Sequence, residues 1–322
     1  MEYMQGRPLG DCFDNLTYLQ KIRVGTDLAL VMSSLFKIKA TQCGSLSRMR
    51  RRSSFGCLKK PLHAQSYPTL SHLGHGGLSD PAIIHHAGFQ VGPVNDLTFL
   101  NYPHQIPAQH CGPFGSERQF LEAFAFLGYP PTRADDKLSR WAFEKTLEVY
   151  EVVATLYRQS DTFHFAHGDL SEGNILIDPD TGVITGIVDW EMAGFRPAWL
   201  SAVAAGWFND DSERFLMTDH QSGHGNYRDE TPTDALVRAH FRLKLAELDE
   251  ELFRHHLQGI ELRALFYACC NENSGNTELW LEKYNDHEWP TGRRGPFPFD
   301  YMAWLNESLD LWDHLCRRCI SN

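Results

Sequence analysis

Apolar positions along this chain form helical stripes toward both ends and two short strand-like runs near the middle. From Thr17 to Ile38, Leu19, Ile22, Leu28, Val31, Met32, Leu35 and Phe36 recur at largely helical spacing, and Thr17 sits where an N-cap belongs. Gly25-Thr26 is the point where the first turns are expected to be interrupted. Phe120 to Phe126 and Trp141 to Leu156 predict two further helices, the second with Trp141, Leu147, Val149, Tyr150, Val153 and Leu156 on one apolar stripe. Asn174 to Asp178 and Ile184 to Asp189 are short runs rich in β-branched residues, joined by Pro179-Asp180-Thr181-Gly182. That pattern is a strand, a tight turn and a returning strand. Arg196 to Phe208 reads as a helix rich in Trp and Ala, Thr233 to Cys270 as mostly helical, and Tyr301 to Cys319 as a final amphipathic helix. Between residues 40 and 116 the periodicity dissolves into Gly, Pro, His and Ser, which predicts a loop-rich stretch with short strands. The fold class expected is α+β, mainly helical, with helices gathered around one β-hairpin.

Composition narrows the class without choosing a function. The 322 residues are 42% hydrophobic and 22% charged, as in ordinary globular proteins. A chain of this length buries a sizeable core without disulfides or structural metal. The net charge of −11 argues against nucleic acid as a partner, which demands a basic footprint. It leaves room for a single nucleotide held through a magnesium ion. No apolar run approaches the ~20 residues that span a bilayer, and Met1-Glu2-Tyr3-Met4-Gln5 has neither the basic nor the apolar region of a signal peptide. No membrane partner is expected, and the protein is read as cytoplasmic. The eight cysteines are scattered and read as reduced thiols. Cys316-Arg317-Arg318-Cys319 lacks the second ligand pair or βαβ context of a zinc or redox motif. The basic run Arg48-Met49-Arg50-Arg51-Arg52 reads as a solvated loop, with a localisation patch or a phosphosite at Ser53-Ser54 as the functional alternatives.

The candidate chemistry lies in His167-Gly168-Asp169-Leu170-Ser171-Glu172-Gly173-Asn174, followed by Ile187-Val188-Asp189-Trp190-Glu191. Phosphoryl transfer asks for positioning and charge neutralisation more than covalent chemistry. Mg²⁺ prefers carboxylate and amide oxygens and keeps waters and substrate phosphates in its shell. A hairpin brings Asn174 and Asp189 side by side, so an amide and a carboxylate converge on one metal position. Asp169, in the loop before the hairpin, faces an acceptor hydroxyl.

H-G-D-L-S-E-G-N followed by I-V-D-W-E resembles the aminoglycoside phosphotransferase and choline-kinase-like family, particularly its fungal members. The resemblance implies the large lobe of a protein-kinase-like fold with a catalytic β-hairpin. It implies Asp169 as catalytic base or hydroxyl orienter, Asn174 and Asp189 as ligands of Mg²⁺ and through it of ATP, and His167 as structural support for the loop. Its partners are then a nucleotide and a small-molecule hydroxyl acceptor. Ser171 stands where protein kinases carry a Lys, and neither D-F-G nor A-P-E follows Asp189, so a small acceptor is the better reading. Glu191 is read equally as a metal or loop-orienting residue and as a surface one. A hydrolytic metal site of His164, His167 and Asp169 finds no further histidine cluster to complete it.

Met1 to Leu9 resembles the hinge that follows the small lobe in that family. The expected organisation is therefore a hinge-like segment over 1–10 and the large lobe over 11–322, with the small lobe truncated. Gly74-His75-Gly76-Gly77 lacks the following Lys of a phosphate flap, and Lys59 and Lys60 are poor substitutes on a long loop. Two functions stay open: an ATP- and Mg²⁺-dependent phosphotransferase, and a non-catalytic binding protein, pseudoenzyme or truncated gene product on the same lobe. Glu247, Asp249, Glu250 and Glu251, in the helical region where such families build the acceptor site, read as a solvated face.

Overall fold

A computed structural model of the chain describes residues 4–48, 89–96, 111–128, 137–156, 162–208 and 232–270. The readings made for Met49 to Ser54, Lys59, Lys60, Gly74 to Gly77 and Tyr301 to Cys319 lie outside the described residues.

The hairpin forms much as its sequence requires. Strand β6 (Ile175–Asp178) turns back into β7 (Val183–Ile187). Asp178 builds the turn: its carboxylate accepts from Asp180 N at 3.0 Å and from the Thr181 hydroxyl at 2.8 Å, while its carbonyl accepts from Gly182 N at 2.8 Å. Gly182 takes a φ of +70°, which only glycine adopts without strain. A third strand, β1 (Arg7–Pro8), adds antiparallel to β6, with Arg7 opposite Ile177 and Pro8 opposite Leu176. Pro8 is tolerated because β1 is an edge strand. The short helix α1 (Leu9–Cys12) follows, and Gly10 N donates to the Glu172 carbonyl at 3.1 Å.

Helix α2 (Tyr18–Phe36) starts at a capping box, Thr17 with Gln20. The Gln20 amide also donates to the carbonyls of Pro179 and Asp180, which fastens the helix start to the hairpin turn. The interruption expected at Gly25-Thr26 does not occur. Gly25 is instead the point of close approach to Phe208 and Phe241, 3.3 and 3.6 Å from where a Cβ would stand, so packing outweighs its poor helix propensity.

A second sheet has the order β2-β5-β8-β3-β4, all pairs antiparallel. Its strands are β2 (Lys39–Ala40), β3 (Gly44–Arg48), β4 (Phe89–Gly92), β5 (Phe163–Ala166) and β8 (Gly194–Arg196). The loop-rich stretch thus supplies three of them. The helix expected over Arg196 to Phe208 is a correction: Arg196 ends β8, opposite His164, and only Ala198–Ser201 (α5) makes a helical turn before a 3-10 turn at Gly206–Phe208. Pro197 explains the start, because a residue before proline is pushed out of the α region and into the extended one.

Two apolar cores hold these elements. Helices α3 (Glu117–Gly128), α4 (Lys137–Leu156) and α8 (Ile260–Cys270) pack on the second sheet around Phe114, Phe120, Phe124, Tyr150, Phe195, Trp199 and Phe266. Helices α2, α6 (Pro232–Leu248) and α7 (Glu250–Gln258) close over the hairpin around Val24, Leu28, Ile175, Ile177, Phe241 and Phe253. Each such side chain contributes about 1.5–3 kcal/mol by leaving water. Cys12, Cys43, Cys111 and Cys269 are free thiols, and burial pushes those of Cys43 and Cys269 up to about 12. Among the described residues no helix is long and apolar enough to cross a membrane.

Candidate active site

The site is assembled where the loop leaving β5 meets the end of β7. His167 is buried, and its Nε2 lies 2.8 Å from the Val188 carbonyl. Its Nδ1 accepts from Asp169 N at 3.3 Å, which leaves Nε2–H to donate to Val188 O. The indole of Trp190 packs edge-on against this ring at 4.6 Å and donates to the Ile187 carbonyl at 2.7 Å. His167 therefore joins the start of the loop to the end of the hairpin. Gly168, at φ +87°, lets the loop pass under the Met192 carbonyl, where a Cβ has no room.

Asp169 and Asn174 are in direct contact. The Asn174 amide nitrogen donates to the Asp169 carbonyl at 2.9 Å and to its Oδ2 at 3.0 Å. Two backbone bonds, Ser171 N to Asp169 O and Asn174 N to Ser171 O, hold the loop in this shape. Among the described residues Asn174 Oδ1 takes no hydrogen bond. The Asn174 carbonyl accepts from Val188 N at 3.0 Å, which sets Asn174 next to the residue preceding Asp189.

The second strand ends at Ile187, and Asp189 lies beyond it in the left-handed region, φ 65° and ψ 56°, at the head of the 3-10 turn Trp190–Met192. It is the one non-glycine residue with positive φ among the described residues. Such a conformation stores about 1–3 kcal/mol and persists only where the surroundings over-determine it. Its carboxylate is exposed and takes no hydrogen bond among the described residues. One amide oxygen and one free carboxylate are hard oxygen donors, the set that suits Mg²⁺ completed by water and phosphate. Among the described residues, no group of three or more His, Cys, Asp or Glu side chains is arranged to hold a metal.

A cavity of about 390 Å³ opens beside the loop. Asp169, Ser171 and Glu172 line one side, Phe165, Leu200 and Tyr267 others, and Asp96 contributes a further carboxylate. Asn174 and Asp189 are not among its walls, and Asp169 is the cavity residue that touches Asn174.

His164 is elsewhere. Its ring is fully buried, stacked on Phe36 at 3.7 Å with Nδ1–H donating to the Phe36 carbonyl at 2.7 Å. Burial lowers its pKa, the Phe36 bond opposes that, and Lys39 lowers it further. The side chain of Glu191 is exposed.

Three residues were not flagged by the sequence. Asp96 lines the cavity. Arg196, 3% exposed, donates to the carbonyls of Met192 at 3.0 Å, Asn95 at 3.2 Å and Phe195 at 3.3 Å. Asn95 donates from its side chain to the Glu191 carbonyl at 2.6 Å. The usable signal was Arg196 itself, the one charge in the apolar run from Ala193 to Ala205, since a buried charge needs partners.

Residues 98–236 match the model of the phosphotransferase enzyme family, APH. The matched stretch carries Asp169, Asn174, Asp189 and Arg196 and is similar to that family. The match spans less than half of the chain and begins just after Asn95 and Asp96. No curated protein and no solved structure matches the chain.

Proposed function

We propose that the protein is an ATP- and Mg²⁺-dependent phosphotransferase acting on a hydroxyl of a small molecule. On this reading residues 11–322 form a kinase-like large lobe of the fungal aminoglycoside phosphotransferase and choline-kinase-like type, and residues 1–10 serve as its hinge. The observation that carries it is the contact of Asn174 with Asp169 at the lip of a cavity, with Asp189 one residue beyond the Asn174–Val188 pairing.

Asp169 accepts or orients the hydroxyl proton of an acceptor seated in the cavity. Asn174 fixes the rotamer of Asp169 through Oδ2 and leaves Oδ1 of Asp169 for that proton. Asn174 Oδ1 and the Asp189 carboxylate are the groups that would hold Mg²⁺, and His167 braces the loop on which Asp169 sits. Bound Mg·ATP supplies the phosphoryl group and neutralises its charge. The acceptor and the nucleotide are the partners of this reading, and its setting is cytoplasmic, with neither nucleic acid nor membrane involved.

The test is turnover of Mg·ATP by the purified chain against a panel of small hydroxyl acceptors. Acceptor-dependent ADP release that is lost in Asp169→Asn and Asp189→Ala supports the proposal. Calorimetry showing cavity ligands bound without any Mg·ATP binding would instead establish a non-catalytic binding protein on the same scaffold.

A further inference from the structure

We infer that Asn95 and Arg196 form a clamp that positions Asp189 for its metal, which brings the chain just before the family-matched stretch into the working site. The inference rests on the reading of Asp189 as a metal ligand. It begins from the left-handed backbone of that residue, which needs restraint on both sides.

On the N-terminal side Val188 is fixed twice, by its N–H on the Asn174 carbonyl and by its carbonyl on His167. The C-terminal side is the turn Trp190–Met192, whose own bond is Ala193 N to Trp190 O. That single bond would leave the two middle carbonyls of the turn free to swing. Both are taken: Asn95 Nδ2 donates to Glu191 O and Arg196 Nη2 donates to Met192 O. The two donors are themselves joined, because the same Arg196 Nη2 reaches the Asn95 carbonyl. The chain at Asn95 is anchored in turn to the second sheet through Asn95 N and the Ser45 hydroxyl at 2.9 Å.

The arrangement is a rigid brace. Arg196 is immobile because it is buried and its planar fork is spent on three carbonyls. Asn95 reaches across 96 residues of sequence to the carbonyl of Glu191, the exposed residue of the turn. An amide in that position adds little to overall stability, whereas it restricts the pivot of the residue two places before its target. Asn95 and Arg196 are positioning residues that act through Asp189.

The test uses the full chain, Mn²⁺ as probe in the presence of ATP, and thermal unfolding measured on the same samples. Asn95→Ala and Arg196→Met are expected to weaken Mn²⁺ binding about 10–100-fold, as loss of partners that orient metal ligands commonly does. Arg196→Lys should recover part of that loss, since an ammonium still donates to Met192 O. The unfolding temperature of Asn95→Ala is expected to stay close to that of the unaltered protein, which separates positioning from bracing of the fold. If Arg196→Met fails to fold, Asn95→Ala decides. Mn²⁺ affinity unchanged in Asn95→Ala, while Asp189→Ala loses it, overturns the clamp and leaves the proposed function standing. No Mn²⁺ binding by the folded, unaltered protein overturns both together.

Discussion

Two regions converge on the turn after Asp189, and they do so across very different lengths of chain. The hairpin region works through near neighbours: Asn174 to Asp169 across five residues, Trp190 to Ile187 across three, His167 to Val188 across twenty-one. The segment at Asn95 works at long range, to Ser45 across fifty residues and to Arg196 across one hundred and one. The first region places the oxygen atoms that the proposed function uses. The second holds still the backbone that carries one of them. Closing a long loop adds entropy only slowly with its length, so the distant brace costs about as much to assemble as a nearer one. The candidate site groups and the bonds that brace them thus come from different parts of the chain.

The largest effect expected is on chemistry, and it tests the hairpin side alone. Asp169→Asn should lower acceptor-dependent turnover by about 10²–10⁴-fold, the usual contribution of a positioned acid–base group. Its unfolding curve in urea should match that of the unaltered protein. A matching loss of stability would mean that Asp169 is structural and would break the division just drawn.

Next comes Gly168→Ala, which places a side chain at positive φ and against the Met192 carbonyl. The strain alone is worth about 1–3 kcal/mol, and the crowding adds to it. Urea denaturation should show it, and an unchanged midpoint would mean the loop can re-route at no cost.

Acid should loosen the joint between α2, β5 and α7 before it touches the hairpin. Burial, then neighbouring Arg254, holds the His255 pKa at about 4 rather than 6.5, and burial also lowers that of His164. The unfolded chain binds protons at these histidines near pH 6.5, while the folded one refuses them until lower pH. Protons therefore favour the unfolded state, and stability falls as pH drops from about 6.5 toward 4. The melting temperature of His255→Asn should lose part of this slope over that window. An identical slope in the variant would show that His255 is protonated freely in the folded protein.

The two smallest changes form a matched pair. Ser45→Ala leaves Asn95 N without its acceptor beside a buried residue and should cost about 1–2 kcal/mol. Thr185→Ala removes an exposed bond to the Gln5 carbonyl on the hairpin and should cost less than ~1 kcal/mol. If the hairpin variant proves the more damaging in chemical denaturation, long-range bracing is not where the stability of the site lies.

How much of this was legible follows from the same contrast. Helix α2 was readable, as Thr17 to Ile38 against the observed Tyr18–Phe36, because an N-cap threonine and an apolar stripe are both local signals. The hairpin was readable because the Asp178 turn closes over four residues. Gly25 misled because its smallness serves Phe208 and Phe241, which stand far off in sequence. Arg196 misled because Pro197 and the pairing with His164 override an Ala- and Trp-rich helical composition. The strands at Gly44–Arg48 and Phe89–Gly92 are four or five residues long, too short to show a period of their own.

Sequence alone singled out Asp169, Asn174 and Asp189 as the candidate set, because their spacing and the turn between them are properties of one continuous segment. Only the tertiary structure decided that Asp189 is held left-handed and that Asn95 and Arg196 close the turn behind it. Those outcomes depend on hydrogen bonds between residues tens to a hundred positions apart. Such bonds leave no periodic trace along the chain, and they exist only once two sheets and two cores have brought their partners within 3 Å or so.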